Sequence, residues 1–160
     1  MFVHDADSPI GVEDREEFAG LAYFAPDPAF VIEGRVGPPS VTDDLRMPTS
    51  SGEEVVYQRF GTAHFSVDGS PAQLTLFSVE GESDLFVPFR DSTSGAETYG
   101  AGRYLEVPRP EHEHVELDFN YAYNPYCAYS EAYSCPLPPL ENWLKVPIRA
   151  GERVYAGSDH

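Results

Sequence analysis

The fold is decided by the stretch Thr62-Ala63-His64-Phe65-Ser66-Val67-Asp68-Gly69-Ser70-Pro71-Ala72-Gln73-Leu74-Thr75-Leu76. Before the Asp68-Gly69 pair, apolar and polar residues alternate, which is the period of a strand with one covered face. After that pair, Leu74 and Leu76 continue the same alternation. Asp68-Gly69-Ser70-Pro71 between the two runs is a turn signal, so Leu74 and Leu76 are expected on a returning strand. The stretch therefore predicts two antiparallel strands joined by a tight turn.

Outward from this hairpin, the period of two recurs along the chain. Gly61 joins the hairpin to the run 55–60 and predicts a bulge or bend. Further strands are predicted where the alternation is clearest, around Ile32, Val87, Leu117 and Val146. The fold class predicted is mainly β, a single antiparallel β-barrel or strongly bent sheet.

The N-terminal part has a different residue pattern. Residues 8–20 combine a proline, a charged run and a terminal glycine, a pattern typical of a short helix. We therefore expect an N-terminal arm with a short helix over residues 1–28 and a β domain over residues 29–160.

Charge restricts the partners. The 160 residues hold 27 acidic and 10 basic residues, so the formal charge is -17, and Lys145 is the sole lysine. Such a chain repels phosphate backbones and anionic bilayers, so neither nucleic acid nor a membrane is an expected partner. High acidity with almost no lysine indicates adaptation to molar salt, where self-repulsion is screened. An acidic mesophilic protein is the alternative.

The compartment is predicted to be the cytoplasm. The start of the chain has neither a basic segment nor an apolar one of the signal-peptide type, and no run of about 18 apolar residues is present. For an intracellular chain, the pattern favours free thiols at Cys127 and Cys135 over a structural disulfide. No oligomeric state is predicted.

The first unusual segment is 86–105. Its strand leads into a loop with hydroxyls, three glycines and two arginines, which can offer amide and guanidinium donors to an anionic group. The alternative is that these residues tie down a long loop through ion pairs and turn hydrogen bonds. No cofactor is predicted, because Leu105 stands where a dinucleotide fingerprint beginning at Gly100 requires glycine. The ligand-binding candidates of this segment are Arg90, Thr93, Ser94, Tyr99 and Arg103.

The second segment is 117–142, which is rich in tyrosine. Tyrosine buries an apolar ring while its hydroxyl needs a partner, so clusters of it line pockets and interfaces, and they also build β-cores. Its candidates are Asn120, Tyr123, Asn124 and Asn142, with turn stabilisation as the alternative role of the asparagines.

The motifs resemble a known family. They are 89–95 and 98–105, Asp118-Phe119-Asn120, Ala122-Tyr123-Asn124-Pro125-Tyr126-Cys127-Ala128-Tyr129, Cys135-Pro136-Leu137-Pro138-Pro139 and Glu141-Asn142. Together with 20–24 and 26–28, they are similar to the signature of the domain of unknown function family 1684 over most of residues 8–152. The resemblance implies a prokaryotic family with haloarchaeal members, and it implies no reaction.

Catalytic candidates are Asp91, Asp118 and Cys127. Asp91, Asp118 and Glu141 each follow or flank a strand, so they are candidates for acid, base or metal-ligand roles at one barrel mouth. A nucleophilic Cys127 needs a neighbouring base or cation to lower its pKa. Burial of the cysteines as small apolar groups, or a zinc site with His112 and His114, are alternatives. We predict no metal.

Two functional hypotheses follow. The first is a small-molecule pocket between the two segments, in which Arg90 and Arg103 hold an anionic group and Tyr99 and Tyr123 form the walls. The second is a noncatalytic structural or interaction module in which the motif residues hold two long loops together. Both require the two segments to meet in space.

Overall fold

The computed structural model describes residues 22–39, 44–129 and 135–154. Seven strands make up the fold: β1 (Val31–Gly37), β2 (Leu45–Pro48), β3 (Glu54–Val67), β4 (Ser70–Ser78), β5 (Leu85–Phe89), β6 (Arg103–Val107) and β7 (His114–Asp118). Short 3-10 turns occur at Pro28–Phe30, Phe119–Tyr121, Tyr126–Ala128 and Leu140–Asn142. Within the described ranges there is no α-helix, and no helix long and apolar enough to cross a membrane.

The strands pair antiparallel in the order β6-β5-β4-β3-β1-β7, and β2 pairs with β3 beside this path. Beyond β7 the chain returns to the other end of the sheet, where Tyr123 bridges to Tyr104 of β6. The sheet is therefore strongly curled into a half-barrel. The mainly β, strongly bent architecture predicted from the alternation is confirmed.

The central hairpin forms as predicted. Val67 and Ser70 face each other across a two-residue turn, in which Asp68 and Gly69 have φ values of 51° and 81°. The register of β3 shifts between Arg59 and Gly61, which confirms the predicted bulge. A Cβ at Gly61 would lie 2.8 Å from the Gly37 carbonyl oxygen, so this crossing of β1 and β3 requires glycine.

The inward faces of the strands form one apolar core, because the period of two places every second side chain on the concave face of the curled sheet. Its fully buried members include Leu74, Leu76, Leu85, Phe89 and Leu117.

One predicted strand is absent. The segment 144–148 buries Leu144 and Ile148 in the core but has no strand partner. Ile148 instead donates its N–H to Asp91 and accepts from Arg103 through its carbonyl oxygen. Pro147 removes a further backbone donor. The backbone of this segment is thus bound partly by the side chains of Asp91 and Arg103 and partly by the backbone of Arg90 and Ser92, without forming a continuous strand.

The predicted helix over residues 8–20 lies outside the described residues, and the division into an arm and a β domain stays a prediction. Within the described part, Tyr23 bridges to Glu152. Residues 22–24 therefore lie against the C-terminal segment 151–153.

Candidate functional site

The two segments predicted to form the site meet in space. Tyr104 and Tyr123 exchange two backbone hydrogen bonds, of 2.8 and 2.9 Å. Immediately after β5, Arg90 donates its N–H to the Asn142 carbonyl oxygen and accepts from the Leu144 N–H. The end of β5 and the start of β6 thus lie against residues 123 and 142–144.

Arg103 is fully buried. Its terminal guanidinium nitrogens donate to the carbonyl oxygens of Ile148, at 2.9 Å, of Ala150, and of Glu152, at 3.2 Å. A further donor lies 3.4 Å from Asp91 Oδ1. Burial lowers the pKa of this guanidinium, and the adjacent Asp91 carboxylate opposes that shift. These donors are therefore directed at the C-terminal segment of the protein itself.

Asp91 organises the loop that follows β5. Its Oδ2 accepts from the Thr93 hydroxyl and from the Ile148 N–H, both at 2.7 Å. Thr93 also contacts the Thr98 hydroxyl at 2.9 Å, and Ser94 closes the turn back onto Asp91. Asp91, Thr93 and Thr98 are buried. Such contacts are those of a loop-stabilising residue, the alternative that the sequence left open.

The remaining candidates of the first segment also have partners within the protein. The Arg90 guanidinium lies 4.4 Å over the Trp143 ring, a cation–π contact. Tyr99 is buried, which raises the pKa of its hydroxyl.

Asp118 and Asn120 stabilise the turn after β7 and its contact with Asp27, which precedes β1. Asp118 accepts the Asn120 N–H at 3.1 Å and so caps the 3-10 turn that follows β7. The Asn120 side chain forms two 3.0 Å hydrogen bonds with the backbone N–H and carbonyl of Asp27.

Asn142 and Asn124 also bind distant backbone rather than their own turns. The Asn142 side chain accepts the Thr75 N–H at 2.7 Å and donates to the Thr75 and Pro88 carbonyl oxygens. Asn124 donates its backbone N–H to Glu152 and its side-chain amide to the Arg153 carbonyl oxygen. Each asparagine therefore joins elements far apart in sequence, which local turn statistics do not reveal.

Cys127 and Cys135 form a disulfide, so the expectation of free thiols was wrong. The 3-10 turn Tyr126–Ala128 brings the two Cα atoms to 6.3 Å, within the range for a disulfide. A sulfur in a disulfide is not a thiolate, so Cys127 has no nucleophile to offer in this state. Among the described residues, no group of three or more His, Cys, Asp or Glu side chains is placed to hold a metal ion.

The three candidate carboxylates use separate partners. Glu141 binds Arg59 in a bidentate pair of 2.7 and 3.0 Å and accepts from Thr75 at 2.6 Å. Burial raises the pKa of Glu141, but these hydrogen bonds outweigh it and hold the pKa below its ordinary value. Asp91 and Asp118 have other donors, as described above. Within the described part of the chain, none of these three carboxylates is hydrogen-bonded to another.

A buried carboxyl that the sequence did not single out lies beside Arg103. Glu152 is fully buried, and one of its oxygens accepts the Asn124 N–H at 2.8 Å. Its other oxygen and the Asn124 side-chain oxygen have no hydrogen-bond partner. Burial raises the pKa of Glu152 to about 7, against the opposing influence of Asn124 and Arg103. Since Glu152 follows no recognisable motif, its burial is visible only in the fold.

An aromatic groove of about 280 Å³ lies next to these segments. It is lined by Tyr57, Val79, Glu82, Asp84, Leu85, Phe86, Tyr104, Glu106, Tyr123 and Pro136. Both predicted segments contribute to it, the first through Phe86 and Tyr104 and the second through Tyr123 and Pro136. Of the predicted site residues, only Tyr123 lines this groove.

Four rings form a continuous row along the groove. The ring centroids of Tyr57 and Phe86 are 5.5 Å apart, those of Phe86 and Tyr104 are 4.8 Å apart, and those of Tyr104 and Tyr123 are 5.8 Å apart. The two latter pairs meet edge to face, which fixes the rings relative to one another. The Tyr104 hydroxyl donates to the Pro136 carbonyl oxygen at 2.6 Å, so the wall at Pro136 is tied to β6.

The rim of the groove is acidic. Glu82 and Asp84 stand exposed in the turn between β4 and β5, and Glu106 is exposed on β6. The Tyr123 hydroxyl donates to Glu106 at 2.9 Å. Burial, followed by the Glu106 carboxylate, raises the pKa of Tyr123, and burial also raises that of Tyr104. Both hydroxyls therefore remain protonated donors at neutral pH.

Fold and site together define a half-barrel β domain with an aromatic, acid-rimmed surface groove. The model of the family described as "Protein of unknown function (DUF1684)" matches residues 16–153, and the chain belongs to this family. A solution NMR structure of an uncharacterized protein from Haloarcula marismortui is similar, with 41% sequence identity and a TM-score of 0.73. The match covers 91% of this chain and 82% of that one. No curated protein matches the chain.

Proposed function

We propose that the chain is a noncatalytic binding domain that holds a small molecule in the aromatic groove. The observation that carries this proposal is the row of four fixed rings open to a groove at the meeting point of the two family motifs. Pockets for small molecules are concave, mostly apolar and bear a few placed polar groups. The groove combines a row of rings with tyrosine hydroxyls and carboxylates as its polar groups, in nearly equal apolar and polar shares.

The motif residues have a supporting role in this proposal. Arg103 and Asp91 join the start of β6 to the C-terminal segment 148–152, and Asn142 joins β4 to the end of β5, all through hydrogen bonds within the same chain. A rigid support lowers the entropy cost of ordering a site when ligand binds. The predicted catalytic groups Asp91, Asp118 and Cys127 likewise have structural partners, which supports binding rather than catalysis.

The test is backbone amide NMR of the full chain at high salt with a library of small cations, neutral compounds and anions. We expect hits whose shift changes cluster at Phe86, Tyr104 and Tyr123. Val79→Trp fills the groove and is expected to abolish binding. Val56→Trp is the matched control, because Val56 is exposed outside the groove. A library without hits, or hits unaffected by Val79→Trp, would refute the proposal.

A further inference from the structure

We propose, resting on the binding function above, that the ligand is a small organic cation with an alkylated ammonium group seated against the rings. Charge is the first argument. The described residues of the lining include Glu82, Asp84 and Glu106, and none of them is a lysine or an arginine. A concave surface lined by one sign of charge concentrates ligands of the opposite sign. An anionic ligand, which the sequence favoured, would meet three carboxylates here.

The absence of arginine from the rings of the groove, within the described residues, is the second argument. Among the described residues, arginines stack on four rings: Arg90 on Trp143, Arg103 on Phe89, Arg109 on Phe60 and Arg153 on Phe24. None of these rings lines the groove. The groove holds four other rings and, within the described part of the chain, places no cation over them. A cationic ligand could therefore contact the four rings of the groove, since no arginine of the described residues stacks on them.

Ring chemistry selects the kind of cation. The face of an aromatic ring carries negative electrostatic potential, and rows or cages of rings recognise quaternary ammonium groups. Alkyl groups on the nitrogen also bury apolar surface against Val79 and Pro136, which a hydrated metal ion does not. The carboxylates of the rim attract the cation electrostatically, so the ligand does not need to donate a hydrogen bond.

Size limits the ligand further. The groove volume of about 280 Å³ lies at the lower end of the range for ligand pockets, which begins at roughly 300 Å³. A compound with one ammonium group and a few carbons fits this volume, whereas a nucleotide exceeds it.

High salt distinguishes the contribution of the carboxylates to binding from that of the rings. At 1 M ionic strength the Debye length is about 3 Å, so the exposed carboxylates attract a cation only in direct contact. Contact with the rings excludes water and is screened less. We therefore expect binding to persist in 2 M KCl, with Tyr57 and Phe86 contributing more than Glu82 and Asp84.

The experiment compares two probes of nearly equal shape. Choline carries a trimethylammonium group, and 3,3-dimethylbutan-1-ol replaces its nitrogen by carbon. In NMR titrations of the full chain at 2 M KCl, we expect choline to bind about tenfold more tightly, in line with a desolvated cation–π contact. Acetate is expected not to bind.

Variants assign the contributions. Tyr57→Leu keeps an apolar side chain and is expected to weaken choline binding about fivefold or more, with little change for the neutral alcohol. Glu82→Gln/Asp84→Asn is expected to weaken it about twofold at 2 M KCl and more at 0.1 M. Glu80→Gln, which lies outside the groove, is the matched control.

The outcomes separate the two proposals. Equal binding of the alcohol and choline, or a preference for anions at the groove, overturns the cation assignment and leaves the binding function standing. Choline binding that survives Val79→Trp places its site elsewhere and overturns the assignment. Failure of every probe and of the whole library at the groove overturns both.

Discussion

The Arg103 guanidinium and the Asp91 carboxylate form a 3.4 Å ion pair in which both side chains are fully buried. Arg103→Ala removes one partner and leaves an uncompensated carboxylate in the protein interior. Breaking such a pair typically costs about 3–5 kcal/mol. We expect a loss of this size in urea unfolding, followed through the fluorescence of Trp143.

Arg35→Ala is the matched control for that variant. Arg35 pairs with Glu113 at 3.2 Å, but the two side chains are 75% and 66% exposed. Exposed pairs contribute roughly 0–1 kcal/mol, so the control is expected to unfold close to the wild type. A fully stable Arg103→Ala variant that loses binding of an anionic compound would instead support the anion site favoured by the sequence.

Glu152 gives the fold a pH dependence. Because its pKa rises from 4.5 to about 7 on folding, the folded chain binds this proton more tightly than the unfolded chain. Stability from this group is full below the unfolded pKa and is lost as pH rises to about 7, by about 3 kcal/mol at most. Glu152→Gln keeps the acceptor for Asn124 and carries no charge, so it should be the more stable protein at pH 8.

The measurement is the free energy of unfolding between pH 4 and pH 8. Wild type and Glu152→Gln are expected to converge at the acidic end and separate above neutrality. Glu80→Gln, an exposed control, should run parallel to the wild type. Curves for wild type and Glu152→Gln that stay parallel over this range would contradict a buried, titrating Glu152.

The disulfide between Cys127 and Cys135 closes a short loop. In the chain-entropy model, a loop of this length contributes about 2.6 kcal/mol. Cys127→Ser/Cys135→Ser should lose that amount in urea unfolding. Reductant should produce the same loss in the wild type and no change in the double variant. Two titratable thiols in the untreated native protein would contradict the disulfide.

Acidity gives a prediction about salt. With a net charge of -17, self-repulsion opposes the compact state, and added salt screens it. The solved relative from Haloarcula marismortui is consistent with a halophilic origin. The midpoint of urea unfolding should rise from 0.1 to 2 M KCl, with a smaller rise in sucrose of equal osmolality. Full stability in dilute buffer would favour an acidic mesophilic protein.

Strands were predictable where alternation and turn chemistry agreed, as in the hairpin around Asp68-Gly69. The segment around Val146 shows the same alternation but forms no strand, and its backbone is bound by the side chains of Asp91 and Arg103 as well as by the backbone of Arg90 and Ser92. Nothing in a local pattern reveals that a distant arginine satisfies these carbonyl groups. The disulfide was missed for a similar reason, since its formation depends on the turn at 126–128.

The candidate site was only partly predictable from the sequence. The two motif segments were expected to meet, and in the structure they do so through Tyr104 and Tyr123. The sequence favoured an anionic ligand held by Arg90 and Arg103, but Arg103 is buried against backbone carbonyl oxygens and Arg90 stacks on Trp143, so we propose the acidic groove instead. The acidic rim comes from Glu82, Asp84 and Glu106, which in sequence look like ordinary charges on a solvated surface.

Gly151 lies in the C-terminal segment that Arg103 binds. Gly151 has φ of +80°, and a Cβ there would lie 2.7 Å from the carbonyl oxygens of both Phe119 and Ala122. Gly81 has a similar φ of +86° with nothing within 4 Å of the added atom. Gly81→Ala should therefore cost about 1–2 kcal/mol for the left-handed backbone alone. Gly151→Ala should lose about 1–3 kcal/mol more, because the added Cβ would overpack against backbone atoms that cannot rotate away. Equal losses of unfolding free energy in the two variants would show that residues 119–122 do not pack closely on Gly151.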